Sequence, residues 1–188
     1  MIDTQTVLVL GAGASNPYGY PTGAELRKYI WSAFPDVFSD LVNKEHGSPV
    51  PDAYKKAKEF ADSFHKSNTG SIDLFLARNP NCSEFGKKAI AVSIMESEKT
   101  TAFPENDRDW YFYLYKRMTD GLIVSDSYNL FSGNKIDFLT FNYDRSLECF
   151  LEESLTYSFQ SANPVEMAKQ KEQIEPVQYC FSLINTAS

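Results

Sequence analysis

Two short stretches of this chain have residue types and spacing that could do chemistry. In the first, Gly11-Ala12-Gly13-Ala14-Ser15, small residues leave backbone N–H groups bare in a tight turn, so an anion such as a pyrophosphate could be held without a lysine. The second, Asn142-Tyr143-Asp144, sets an amide and a carboxylate two residues apart, able to orient a hydroxyl or a water and to accept from an amide N–H. Each has a plainer alternative. The glycine stretch could be a simple turn after a buried strand, and Asn142 and Asp144 could cap the helix that follows them. The glycine spacing is not the full dinucleotide fingerprint, because Asn16-Pro17 stands where a third glycine would fall, and no Gly-Lys-Ser/Thr follows to make a P-loop.

Both stretches need a strand to deliver them. Val7, Leu8, Val9 and Leu10 are four apolar residues in succession, which suits a parallel strand covered by helices on both faces. Ile136 to Phe141 is the second candidate interior strand. If the two are neighbours, Gly11 to Ser15 lies near Asn142 and Asp144, off the carboxyl ends of the strands where open α/β sheets bind ligands. Val177, Tyr179, Phe181 and Leu183 alternate with polar residues and predict a third strand, after a helix from Asn163 to about Glu175.

Between the first two strands the pattern is helical. Thr22 and Glu25 have capping-box spacing, and the helix they open is expected to run to about Phe34, where Pro35 stops it. Residues 36–51 read as a loop, and 52–66 as a second helix. Ser71 caps a short turn over 72–77, Ser83 to Glu98 reads as a well-buried helix, and Asp109 to Leu122 as an aromatic-rich one. Its aromatic stripe is expected to be core packing rather than a stacking platform. The resulting expectation is an α/β fold: a partial Rossmann-like parallel sheet of about three strands, flanked by helices, with a large helical insertion. The sheet portion would comprise residues 1–35 and 130–188, and the insertion 36–129.

Composition narrows the partners. The 188 residues are 43% hydrophobic and 14% aromatic, enough for a folded core. A formal net charge of −7 argues against a broad nucleic-acid surface or an anionic membrane. Cys82, Cys149 and Cys180 are far apart and form no CxxC pair, so neither a metal site nor a disulfide framework is indicated. The N-terminus lacks a basic leader, and no apolar run approaches the ~20 residues of a membrane span, so a cytoplasmic location is expected.

The combination of GAGAS, Tyr20-Pro21-x-Gly23 with a helix, Ser71-Ile72-Asp73, and Thr140-Phe141-Asn142-Tyr143-Asp144 resembles the sirtuin-like family. It looks closest to the NAD-consuming branch of bacterial anti-phage defence, over about Val7 to Leu151. That resemblance implies that Gly11, Ala12, Gly13, Ala14 and Ser15 bind NAD, that Asn142 is a catalytic residue near the nicotinamide ribose, and that Asp144 contacts the nicotinamide region and belongs to the binding set. The implied activity is hydrolysis of NAD to ADP-ribose and nicotinamide by a parent protein. A non-catalytic NAD or ADP-ribose sensor and an NAD-dependent protein deacylase are the alternatives.

The family also uses a His-Gly motif downstream of the asparagine motif, as the base. Here the only histidines are His46 and His65, both upstream, and the expected place reads Ile184-Asn185-Thr186. The chain is therefore expected to be a fragment truncated before that motif, or an inactive relative. A sheet so shortened predicts an unpaired edge, hence self-association or a partner that completes it. Asp73 could face the site or simply favour a helix N-terminus. Tyr18 and Tyr20 could line the nicotinamide side or pack.

Overall fold

The computed structural model describes residues 1–100, 103, 109–122 and 130–159, and forms two compact units: 1–18 with 102–188, and 19–101. The predicted helix at Asn163–Glu175 and strand at Val177–Leu183 lie outside the described residues, as do Cys180 and Ile184 to Thr186.

The first unit carries the sheet. Strands β1 (Thr6–Leu10) and β2 (Ile136–Thr140) pair in parallel, with Leu8 opposite Phe138 and Leu10 opposite Thr140. The pairing continues past the last rung, where the Phe141 N–H donates to the Leu10 carbonyl at 2.9 Å. Among its described residues this unit also has the α-helices α6 (Trp110–Thr119) and α7 (Ser146–Ser158), numbered after the five of the other unit. Asp109 starts α6 by accepting from the Tyr111 and Phe112 backbone N–H groups, which satisfies amides that have no carbonyl partner in the first turn. Leu147, Leu151 and Leu155 recur at four-residue spacing and form the buried stripe of α7.

In the second unit, α1 (Gly23–Ser32) opens with the capping box that Thr22 and Glu25 predict. It is followed by α2 (Phe34–His46), α3 (Ala53–Lys66), α4 (Ile72–Arg78), capped by Ser71, and α5 (Ser83–Glu98). Their aromatic residues pack on one another. Phe34 lies 5.3 Å from Phe38 between ring centroids, and Phe60 meets Phe75 edge-on at 6.1 Å.

Four expectations are corrected. The α/β Rossmann-like arrangement of about three strands is instead a mainly helical chain, with a two-stranded parallel sheet among the described residues. Aromatic residues of the stretch between the strands bury one another, so most of that stretch folds around its own core. Second, among the described residues β1 is covered on one face and largely exposed on the other. Val7 and Val9 are 57% and 62% exposed, while Leu8 and Leu10 alternate with them on the protected side. A continuous apolar run says that both faces tolerate burial, not that both are buried. Third, residues 36–51 are largely helix α2 rather than loop, because Pro35 sits in the first turn of a helix, where its missing N–H costs nothing, instead of ending the previous one. Helix α5 is also less buried than expected, with Met95 49% exposed.

Candidate functional site

The parallel pairing of β1 and β2 ends both strands at the same rim of the sheet, which brings the two singled-out stretches together within the first unit. After β1, Gly11 is extended, with φ −117° and ψ 175°, and Ala12 to Ala14 make one 3₁₀ turn, closed by the Ala14 N–H to the Gly11 carbonyl at 2.8 Å. Neither Gly11 nor Gly13 adopts positive φ, and a Cβ added to either would meet no atom within 4 Å. Backbone geometry therefore does not require glycine at these positions. The space beside them is open.

Ser15 ends the turn and is fully buried. Its hydroxyl donates to Asp144 Oδ2 at 2.6 Å, much closer than its other acceptor, the Ala12 carbonyl at 3.4 Å. Asn142 Nδ2 donates to the same Ser15 oxygen at 3.3 Å, and the Asn142 backbone N–H donates to Thr140 Oγ1 at 3.0 Å. The second carboxylate oxygen, Asp144 Oδ1, accepts from the Ser146 backbone N–H at 3.0 Å and from the Ser146 hydroxyl. Asp144 thus does what the capping alternative requires, holding the first amide of α7, while its other oxygen reaches across to the glycine turn. Asn142 makes no bond to α7. Its Oδ1 is buried without a hydrogen-bond partner among the described residues, although the side chain is only 7% exposed. An unsatisfied buried carbonyl of this kind costs on the order of 1–3 kcal/mol.

Beside this cluster lies a small recess of about 10 Å³, room for about one water, lined by Leu10, Tyr111, Phe138, Thr140, Asn142, Asp144 and the start of α7.

Three aromatic residues also belong here. The Tyr111 hydroxyl is 2.6 Å from Ser146 Oγ, and the Trp110 indole N–H donates to the Ala14 carbonyl at 2.9 Å. Tyr18 stacks on Tyr111 at 4.0 Å and donates to Asp109 at 2.8 Å. Burial, then the Asp109 carboxylate, hold the Tyr18 hydroxyl far above its ordinary range, so it remains a donor. Tyr18 is thus a strut under the glycine turn. Nothing near residues 142–146 in sequence announces Tyr111, which arrives from a separate helix; its spacing in an aromatic stripe carries no polar signal.

Tyr20 is 5% exposed and Asp73 is exposed in the first turn of α4, both in the second unit. Among the described residues, no cluster of three or more His, Cys, Asp or Glu side chains could hold a metal ion, and no helix is long and apolar enough to cross a membrane. No family model matches the chain, and no curated protein and no solved structure matches it either.

Proposed function

We propose that the first unit is a sirtuin-like NAD site whose parent protein hydrolyses NAD to ADP-ribose and nicotinamide. One observation carries the reading: Ser15 of the glycine turn and Asp144 of the asparagine motif are joined directly at 2.6 Å, beside a buried amide carbonyl that lacks a donor. In the proposed reaction the ribose C1′–N bond breaks and its electron pair neutralises the pyridinium, so nicotinamide leaves without an acid. A water then adds to C1′ and releases a proton to solvent. The protein's part is to position, and Asn142 would accept from a ribose hydroxyl or from the attacking water. Gly11 and Gly13 would let the pyrophosphate approach bare N–H groups.

A second reading, binding without turnover, is favoured by one observation. Both histidines, at positions 46 and 65, belong to the 19–101 unit and not to the unit that carries Asn142. A role in anti-phage defence rests on the resemblance. The exposure of Val7, Val9 and Phe141 on one sheet face among the described residues supports a covering partner or a second copy.

The test is to incubate the protein with NAD and follow nicotinamide release and calorimetric binding for wild type, Asn142→Ala and Gly13→Ala. Asn142→Ala should lower release by at least about a hundredfold. Gly13→Ala, unstrained by the backbone it enters, should fold normally and bind NAD weakly. Binding with no release selects the sensor reading. No binding by wild type, or unchanged binding in Gly13→Ala, removes NAD from the site.

A further inference from the structure

The direction of each hydrogen bond in the buried cluster can be worked out from proton counts alone. A carboxylate only accepts, and each serine hydroxyl has one proton to give. Ser146 spends its proton on Asp144 Oδ1, so the short Tyr111 to Ser146 contact at 2.6 Å requires the Tyr111 hydroxyl to donate. Ser15 spends its proton on Asp144 Oδ2. The Asn142 group against Ser15 Oγ, 3.3 Å away, must then be the NH2, because a carbonyl there would face an oxygen with no proton left. Turning the amide over would set two acceptors against each other. Asn142 therefore keeps its carbonyl, the atom without a partner among the described residues, for something else.

We propose that Tyr111 is a positioning residue for this site: by pinning Ser146 onto Asp144 it fixes the Ser15 and Asn142 orientations, so that the group bound at Asn142 is a hydrogen-bond donor, a sugar hydroxyl rather than a phosphate oxygen. The Tyr111 side chain is built for that task. It is 1% exposed, stacked on Tyr18 at 4.0 Å and packed against Phe150 at 5.2 Å, so its hydroxyl has little freedom to leave Ser146. Without that hydroxyl, Ser146 can rotate, and Asp144 Oδ1 retains only the backbone N–H. The reaction affected is the one proposed above, on which this inference rests for its substrate; the geometry stands apart from it.

The experiment compares wild type, Tyr111→Phe and Tyr115→Phe. The last removes a hydroxyl from the same helix that instead donates to the Ser154 carbonyl at 3.1 Å. The side-chain amide pair of Asn142, assigned by its loss in Asn142→Ala, is followed by ¹⁵N–¹H spectroscopy without ligand. Tyr111→Phe should shift that pair and speed its exchange with water about tenfold, the equivalent of about one hydrogen bond, while Tyr115→Phe leaves it in place. Added ribose should shift the same pair in wild type, and inorganic phosphate should not. With NAD, kcat for nicotinamide release should fall about tenfold with KM within about twofold, since the change falls on orientation. Should Tyr111→Phe fail to fold, Ser146→Ala takes its place with the same expectations. An Asn142 pair that is the same in all three proteins, or one that responds to phosphate and not to ribose, overturns the inference. No release by wild type, together with the expected spectral changes, overturns the hydrolase reading and leaves the positioning role standing.

Discussion

Replacing Asp144 by asparagine tests the cluster by stability alone. The substitution keeps the shape and swaps one carboxylate oxygen for an NH2. Asp144 is 7% exposed and accepts three hydrogen bonds, from the Ser15 hydroxyl and from the Ser146 N–H and hydroxyl. Whichever way the new amide points, at least one donor faces another donor, and the remaining bonds lose their charge. Hydrogen bonds to a charged group are worth about 1.5–3 kcal/mol each. Relief from burying a charge returns part of that loss. A net destabilisation of about 2–4 kcal/mol follows for the unit containing the sheet. With a urea slope of about 2 kcal/mol per molar, the midpoint should fall by about 1–2 M. Trp31 and Trp110 belong to different units, so Trp110 fluorescence in a Trp31→Phe background reports the relevant unit. A midpoint within about 0.2 M of the parent at unchanged slope would refute the claim that this carboxylate holds the strand ends together.

Two further outcomes concern the helical unit. The Tyr29 hydroxyl is pushed up from 10.0 to about 12, first by burial and then by the Glu96 carboxylate. Its folded value is raised, so the stability it contributes is complete below pH 10 and is lost as pH rises from 10 to about 12; Tyr29→Phe should flatten the fall of the urea midpoint across that window. Phe60 is 5% exposed, with the Phe34, Phe75 and Phe85 rings around it. Phe60→Ala should cost about 3–5 kcal/mol, read by Trp31 fluorescence in urea with Trp110 replaced by phenylalanine.

Local features with short-range causes were legible in the chain itself. The Thr22 and Glu25 capping box, the Ser71 cap, the span Ser83–Glu98 and the two strands each follow from residues within one or two turns of each other. Pro35 misled because the same residue both ends helices and begins them, and only the apolar face that continues through Phe34 and Phe38 decides between the two. The run Val7 to Leu10 misled in a similar way, since its composition does not say how many faces have something to pack against.

From sequence alone came the two strand-end corners, one glycine-rich and one bearing an amide and a carboxylate, because strand and turn preferences act over a few residues. Tertiary structure alone decided that the corners share a rim and touch, that Ser15 rather than solvent satisfies Asp144, and that Tyr111 stands behind Ser146. Those contacts join residues 35 and 129 positions apart, and a hydrogen bond's direction depends on every proton in its cluster, which no local pattern encodes.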